Sequence, residues 1–283
     1  MESISKELDQ FYTKPEVAEV CFNKFKSYVD QVVTNPRYLE PCAGTGSFYK
    51  LLPKPKLGFD LDPKCSGVKK EDFLLHKFRK SKYITVPISN PPFGDRASLA
   101  ILFLNKCCEF NSIIGFLVPI QFQKFGVQSK INVNFELISD EIIPDFSFIF
   151  DGKLTNIRCC FQIWIHKDLN LGKFPNLRIQ NKPEIEHKDF VMYQYNNTKE
   201  AEKVFKYDFD FAVPRQGFQD YSRKETDPNN CERKKQWILF KANSEIALQN
   251  LLSLDFSKLS KKNTTIPGFG KADVVKEYNE RYP

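Results

Sequence analysis

The sequence lacks the features of a membrane protein and of a metal-binding protein. Its 283 residues contain no apolar run of about 18 residues, the length that a membrane-spanning helix requires. Residues 1–7 carry no apolar core of a secretory signal. The eight cysteines form no CxxC pair and show no cysteine–histidine spacing typical of zinc sites. These absences predict a cytoplasmic protein with reduced cysteines, no membrane partner and no metal.

The two glycine-rich patterns that bind phosphates, GxGxxG and GxxxxGK[ST], are also absent. A different glycine turn lies in residues 38–48, where a short apolar segment leads into Gly44 and Gly46. Glycine lets the backbone approach a ligand closely, as in the nucleotide-binding turns of Rossmann-like folds. We expect a helical segment to follow through Leu52. Because a lone GxG also occurs in ordinary turns, this pattern needs support from its neighbours.

Two acidic positions follow the glycine turn. Residues 57–63 predict a second strand that ends at Asp60, and an acid there can accept hydrogen bonds from both hydroxyls of a ribose. Further along, Asp72 could accept from an adenine amino group, and Phe73 could flank the ring. The order of these residues favours a ligand that contains a nucleoside.

The tetrapeptide Asn90, Pro91, Pro92 and Phe93 is the most informative stretch of the chain. It follows residues 83–89, an apolar segment that predicts a short buried strand. Two prolines stiffen the turn at the carboxyl edge of the sheet, where open α/β sheets bind ligands. The Asn90 side-chain oxygen and the Pro91 carbonyl could then accept both hydrogens of one amino group. Phe93 could stack on a planar ring, a contact worth about 1–3 kcal/mol per base. A plain Pro-Pro turn beside a core phenylalanine is the alternative.

Together these motifs resemble the S-adenosylmethionine-dependent DNA amino-methyltransferases that modify adenine at N6, in the motif order of the gamma group. Residues 11–18 resemble the N-terminal cofactor segment of that family, and the resemblance extends to about residue 166. It implies that Asn90, Pro91, Pro92 and Phe93 are catalytic and that no metal takes part. The cofactor residues that it implies are Tyr12, Thr13, Pro15, Glu40, Pro41, Cys42, Ala43, Gly44, Gly46, Phe48, Asp60, Leu61, Asp72, Phe73 and Asn90.

The resemblance also implies an α/β fold: a Rossmann-like seven-stranded class I methyltransferase domain in residues 1–166, and a smaller C-terminal target-recognition region in residues 167–283. The hydrophobic pattern agrees, because it predicts one buried helix and three strands. These lie at residues 96–110, 113–119, 135–143 and 157–165. In the C-terminal region, the apolar residues within 237–254 predict a strand and a helix with their own small core.

In that family a phenylalanine in the loop before the last strand closes the other side of the target base. We assign Phe150 to this stacking role, together with Phe93, and keep Phe148 as the rival. Each of the two loop phenylalanines could instead fill the core.

For contact with DNA we select the glycine-containing loop within residues 211–224, because its side chains are of the types that contact phosphates and base edges. The candidates are Arg215, Gln216, Gln219, Tyr221, Arg223 and Lys224. A formal net charge of +7 suits a polyanionic partner. A solvated surface loop is the alternative.

These observations predict a site-specific enzyme that methylates N6 of a flipped-out adenine in double-stranded DNA. We expect a monomer in the cytoplasm, or at the nucleoid of a bacterial or virus-infected cell, with a cognate restriction enzyme as a candidate partner. Four alternatives stay open: an RNA adenine methyltransferase, a protein glutamine methyltransferase, a fold kept only for binding, and cytosine N4 modification. The last is disfavoured because that group commonly has serine where Asn90 stands.

Overall fold

The computed structural model describes residues 11–261 and 266–283, so the expectation of no secretory signal in residues 1–7 falls outside the described residues. The chain divides into two compact units, Met1–Gln180 and Asn181–Pro283, called here the N-terminal and C-terminal units. No helix within the described ranges is long and apolar enough to cross a membrane. All eight cysteines are free thiols, most of them buried.

The division between the units follows Gln180, whereas the sequence places it after residue 166. The intervening segment is held on the N-terminal unit by Arg178. Its guanidinium donates four hydrogen bonds of 2.7–2.9 Å, which go to the backbone carbonyls of Gln128, Ile131, Asn132 and Phe135. Such main-chain contacts leave no hydrophobic pattern in the sequence, so the boundary could not be located from it.

The N-terminal unit contains ten strands and four α-helices within the described residues. In chain order they are β1 (Tyr12–Thr13), α1 (Pro15–Val32), β2 (Pro36–Glu40), β3 (Lys56–Asp60), β4 (Lys69–Lys70), β5 (Ile84–Ser89), α2 (Ser98–Cys107), β6 (Ile113–Pro119), α3 (Phe125–Gln128), β7 (Phe135–Ile142), β8 (Phe148–Phe150), β9 (Lys153–Thr155), β10 (Cys159–His166) and α4 (Lys167–Asn170).

Seven of these strands form one sheet in the order β4-β3-β2-β5-β6-β10-β7. The strands from β4 to β6 pair in parallel, and β10 pairs antiparallel to both β6 and β7. The predicted Rossmann-like seven-stranded fold class is therefore confirmed. The predicted strands at 83–89, 113–119, 135–143 and 157–165 correspond to β5, β6, β7 and β10.

Both faces of the sheet are covered, which explains the continuous apolar run of β6. Ile113 and Leu117 pack in one core cluster with Phe25 of α1. Ile114 and Phe116 pack in a second cluster together with residues of α2. Alternate residues of one strand thus enter two cores, as expected for a sheet with helices on both sides.

One connection differs from the sequence prediction. The helix expected after the glycine turn is only a short 3-10 segment, Tyr49–Leu51. Gly46 has a φ of +82°, so a helix can begin only after it, and Pro53 disfavours helical backbone at Leu52. Before β5, residues 76–83 contain neither helix nor strand. A separate three-stranded sheet, β1-β8-β9, joins the first described residues to the β8–β9 hairpin.

The C-terminal unit has its own core, as predicted. Its elements are β11 (Phe190–Tyr195), β12 (Phe211–Gln216), β13 (Gln236–Ala242), α5 (Glu245–Leu252), α6 (Phe256–Ser260) and α7 (Lys271–Arg281). The strands form an antiparallel sheet in the order β11-β13-β12. The strand and helix predicted within 237–254 are β13 and α5.

Helix α1 packs closely on the sheet at Gly115, and a substitution there tests this packing. A Cβ at this position would lie 2.7 Å from Phe25 Cδ2 and 3.0 Å from Phe161 Cζ. We expect Gly115→Ala to lower the free energy of unfolding by about 1–3 kcal/mol, because it overpacks the core. Gly126→Ala in α3 is the control, since an added Cβ there meets nothing within 4 Å. It should be neutral or stabilising by up to about 1 kcal/mol in urea unfolding. Equal stability of the two variants would contradict the packing described here.

Candidate cofactor and target site

A cavity of about 320 Å³ lies at the carboxyl ends of β2, β3 and β5. This is the edge at which parallel α/β sheets bind ligands. All residues assigned to the cofactor or to catalysis from the sequence line this cavity, with the exceptions of Pro15 and Gly46. Residues that the sequence analysis missed also line it, among them Phe11, Asp62, Glu71, Leu99 and Phe103. The motifs, which span some eighty residues of chain, are therefore brought to one place.

The ionisable side chains of the cavity wall are strongly biased in sign. Five carboxyl groups line it, and no lysine, arginine or histidine does. They are Glu40, Asp60, Asp62, Glu71 and Asp72. Such a wall repels phosphate groups and attracts a cation. The cavity therefore suits a positively charged ligand better than one that carries phosphate groups.

Glu40 is the most deeply placed of these acids. Its side chain is 2% exposed, and its Oε2 atom has no hydrogen-bond partner among the described residues. Burial raises the pKa of Glu40 well above its usual range, while a hydrogen bond from the Tyr49 backbone amide acts in the opposite direction. The cavity thus contains a buried carboxyl group whose charge would be favoured by a cationic ligand.

Asp60 joins the end of β3 to the glycine turn. Its Oδ2 accepts a hydrogen bond of 2.6 Å from the Gly44 amide, and its Oδ1 accepts one of 2.8 Å from the Asp62 amide. A Cβ on Gly44 would lie 3.0 Å from Tyr12 Cε1. Glycine is therefore required at position 44 both for its positive φ and for the approach of the Tyr12 ring.

Pro15 and Gly46 do not line the cavity, unlike the other residues assigned to the cofactor. Pro15 is exposed and is the first residue of α1, a position that tolerates proline because its amide would have no partner in the helix. A Cβ on Gly46 would lie 2.6 Å from Cys65 Sγ, so this glycine permits a close packing contact. Both residues shape the site from outside it.

The orientation of the Asn90 side chain is fixed by one hydrogen bond. Its Nδ2 donates to the Phe11 backbone carbonyl at 2.7 Å. Because a carbonyl oxygen can only accept, the amide nitrogen must face Phe11 and the oxygen must point the other way. That oxygen, Oδ1, is buried and has no partner among the described residues. The wall of the cavity thus contains a buried amide oxygen without a partner, in the tetrapeptide of residues 90–93.

Unpaired polar atoms concentrate at this cavity. Buried side-chain atoms without a hydrogen bond are rare in folded proteins, and they commonly mark a ligand site. Five occur among the described residues, and three of them, Thr13 Oγ1, Glu40 Oε2 and Asn90 Oδ1, belong to residues of the cavity wall. The residues around the cavity therefore leave three polar atoms without a partner, as is typical of a site for a polar ligand.

An aromatic group lies beside Asn90. The Phe93 and Phe11 rings are stacked with centroids 6.2 Å apart, and the Phe150 ring lies 4.9 Å from Phe11. Phe148, the rival of Phe150, is fully buried in the core with its ring edge towards Phe93. Phe150 is half-buried, so it retains a surface for a ligand. Phe11 belongs to the segment 11–18 that resembles the N-terminal cofactor segment, but the sequence analysis assigned it no role of its own.

The candidate DNA loop of the C-terminal unit is largely engaged in internal contacts. Tyr221 is buried, and its hydroxyl donates to the Pro267 carbonyl, so its assignment as a DNA contact is wrong. Arg223 is paired with Glu225 and Glu232 and lies over the Trp237 ring. The remaining candidates vary in exposure. Gln219 and Lys224 are exposed, whereas Arg215 and Gln216 are half-buried at the end of β12.

Comparisons with known proteins yield a similarity of fold. No protein-family model matches the chain, and no curated protein matches it. Sixteen chains of solved structures do. One is the crystal structure of a putative RNA methyltransferase from Pyrococcus horikoshii, with 16% sequence identity and a TM-score of 0.43. The match covers 57% of this chain and 87% of that chain.

Glu40→Gln tests the buried carboxyl group. In the folded protein Glu40 keeps its proton to a higher pH than in the unfolded chain. Wild-type stability should therefore fall as the pH rises through that window, by at most about 1.4 kcal/mol per pH unit. Glutamine keeps the neutral shape and does not titrate, so the variant should gain stability over the wild type as the pH increases.

The measurement is urea unfolding from about pH 4 to about pH 8, with Glu19→Gln on the exposed surface of α1 as the control. The control should follow the wild-type profile. If Glu40→Gln also runs parallel to the wild type, the carboxyl group is not buried as described.

Proposed function

We propose that this protein transfers a methyl group from S-adenosylmethionine to the N6 amino group of adenine in DNA. The observation that carries the proposal is the buried, unpaired Asn90 Oδ1. The Asn90 amide is oriented by its hydrogen bond to the Phe11 carbonyl, and Asn90 lines the same cavity as Asp60 and the glycine turn. A free, fixed acceptor suits the binding of an NH2 group, and the acidic wall around it suits a cationic cofactor.

The residues present fit S-adenosylmethionine. Asp60 lies at the end of β3, where an acid can bind ribose hydroxyls, and Asp72 and Phe73 are available for an adenine ring. Thr13 and Glu40 offer unpaired polar atoms for the charged end of the molecule. When bound, this cofactor would supply an electrophilic methyl group. The absence of any basic side chain from the described cavity wall disfavours the phosphate-bearing cofactors of other Rossmann-like proteins.

Asn90 and Pro91 would act on the target amino group. The lone pair of an adenine amino nitrogen is delocalised into the ring, so the nitrogen is a weak nucleophile. Asn90 Oδ1 and the Pro91 carbonyl, by accepting its two hydrogens, would favour a more tetrahedral nitrogen. Phe93, with Phe150 on the other side, would hold the ring in place. Positioning of this kind supplies much of the acceleration of a direct transfer. The chemistry requires no metal.

We propose double-stranded DNA as the partner, with the chain acting as a monomer. An adenine inside a duplex cannot reach the cavity, so it would have to be flipped out at a cost of a few kcal/mol. Sequence selection would then belong to the C-terminal unit, through exposed residues such as Gln219 and Lys224. A restriction enzyme that cuts the same sequence is the cognate partner that this role suggests.

Thr13→Val separates a ligand contact from a structural contact. The variant keeps the side-chain shape and removes a buried hydroxyl that has no partner among the described residues. We expect equal or higher stability, and an affinity for S-adenosylmethionine about 3–10-fold weaker in calorimetry. Thr85→Val is the control, because Thr85 Oγ1 accepts from Arg37 Nη2 at 2.8 Å and does not line the cavity. It should lose stability and keep its affinity. Unchanged affinity in Thr13→Val would remove this hydroxyl from the cofactor site.

Asn90→Ala should lower methyl transfer by more than about 100-fold, since it removes the acceptor for the reacting amino group. Binding of S-adenosylmethionine should be largely retained.

Asn90→Asp is the sharper variant, because its carboxylate would face the Phe11 carbonyl, and both groups can only accept. We expect it to be nearly inactive at neutral pH and to recover as the pH falls and the carboxyl group regains a proton to donate. Wild-type rates in Asn90→Asp above neutral pH would contradict the assigned orientation.

The assay is transfer of a labelled methyl group to DNA and to RNA, followed by nucleoside analysis. N6-methyladenine in DNA supports the proposal. The same product in RNA would make the RNA enzyme correct, N4-methylcytosine would move the target to cytosine, and label only in protein would favour a glutamine methyltransferase. No transfer to any of them would leave the fold with a binding role.

A further inference from the structure

The described residues of the N-terminal unit contain a group of unpaired cations outside the cavity. Residues 77–82, called here the basic segment, include Lys77, Arg79, Lys80 and Lys82. No aspartate or glutamate occurs from residue 73 to residue 94, so this stretch carries +4 of the formal net charge of +7. All four side chains are exposed. None forms an ion pair with a described residue, although Lys82 Nζ lies over the Tyr83 ring at 5.3 Å.

The basic segment is anchored although it has no regular secondary structure. The Phe78 ring in its centre packs edge-on against His76 and Phe110, with centroids 4.4 and 4.7 Å away. At its end the Lys82 carbonyl accepts a hydrogen bond from Asn35 Nδ2 at 3.4 Å. The backbone that carries the four cations is therefore held in place at the centre and at the end of the segment. Unpaired like charges held close together repel one another, and a polyanion relieves that repulsion.

The segment also begins close to the cavity. Leu74 lines the cavity wall, and Lys77 is three residues further along the chain. Three residues span at most about 11 Å, so the Cα of Lys77 lies within that distance of the Cα of Leu74. By contrast, the two arginines that the sequence analysis selected in the C-terminal unit are engaged, Arg215 with Gln236 and Arg223 with two glutamates.

We propose that the basic segment binds the phosphate backbone of the nucleic-acid substrate and holds the strand beside the cavity. The identity of the partner rests on the function proposed above, whereas the surface rests on the exposure and the missing counter-charges of residues 77–82. Contacts to phosphates carry no sequence information, so the segment contributes affinity and position, and the reading of bases stays elsewhere.

The test compares two triple variants of the full chain that remove the same charge. One is Lys77→Gln/Lys80→Gln/Lys82→Gln in the basic segment. The control is Lys199→Gln/Lys203→Gln/Lys206→Gln, in a 3-10 helix of the C-terminal unit where exposed lysines alternate with Glu200 and Glu202. Binding to a labelled DNA duplex, and to an RNA strand of the same sequence, is measured over a range of salt concentrations. Affinity for S-adenosylmethionine and thermal unfolding report whether each variant is intact.

Each neutralised phosphate contributes about 0.9 to the slope of log K against log[salt] for a duplex. We expect the variant of the basic segment to flatten this slope by about 2–3 units, with cofactor affinity and thermal stability unchanged. The control should keep the wild-type slope. An unchanged slope in the first variant overturns the proposal and identifies residues 77–82 as ordinary solvated surface. A flattened slope in a protein that methylates neither DNA nor RNA would keep this proposal and refute the proposed function.

Discussion

The arrangement of the site depends on the hydrogen bond from the Asn90 side chain to the Phe11 carbonyl. Phe11 directly precedes β1, and β1 is held by pairing with β8. One short bond therefore ties the turn after β5 to the small sheet that carries the β8–β9 hairpin. It decides which atom of the Asn90 amide is left without a partner in the cavity wall, and that atom is the acceptor oxygen. The aromatic rings of Phe11, Phe93 and Phe150 gather at the same junction.

The central sheet could be predicted because strands that are buried on both faces appear in the sequence as continuous apolar runs. Ile113–Pro119 is apolar throughout, and all seven residues are buried between two layers of helices. The tetrapeptide at 90–93 was predictable for a different reason, since two prolines restrict the backbone whatever the surroundings. Its placement with Asp60 and the glycine turn follows from the parallel sheet, which brings the carboxyl ends of β2, β3 and β5 together.

What the sequence could not reveal depends on contacts between distant residues. The partner of Asn90 lies 79 positions away in the chain and is a backbone carbonyl. Every residue has such a carbonyl, so the amino-acid sequence does not indicate which one Asn90 contacts. Tyr221 was selected as a DNA contact because tyrosine is frequent at such interfaces, yet its ring is packed in the C-terminal core. Arg223 was selected for its charge, but charge is available to a partner only when nearby acids leave it free, and two glutamates lie beside it.

The separation of charge within the N-terminal unit has a consequence for how a nucleotide could enter it. A nucleotide joins an uncharged ring to a strongly anionic phosphate. The ionised carboxylates of the cavity wall oppose entry of the phosphate but exert little force on the ring. The cations of residues 77–82, outside the cavity, act on the phosphate instead. The negative cavity wall and the positive basic segment would thus orient the nucleotide before any specific contact forms. Its ring would point into the cavity, and its phosphate would stay outside, towards residues 77–82.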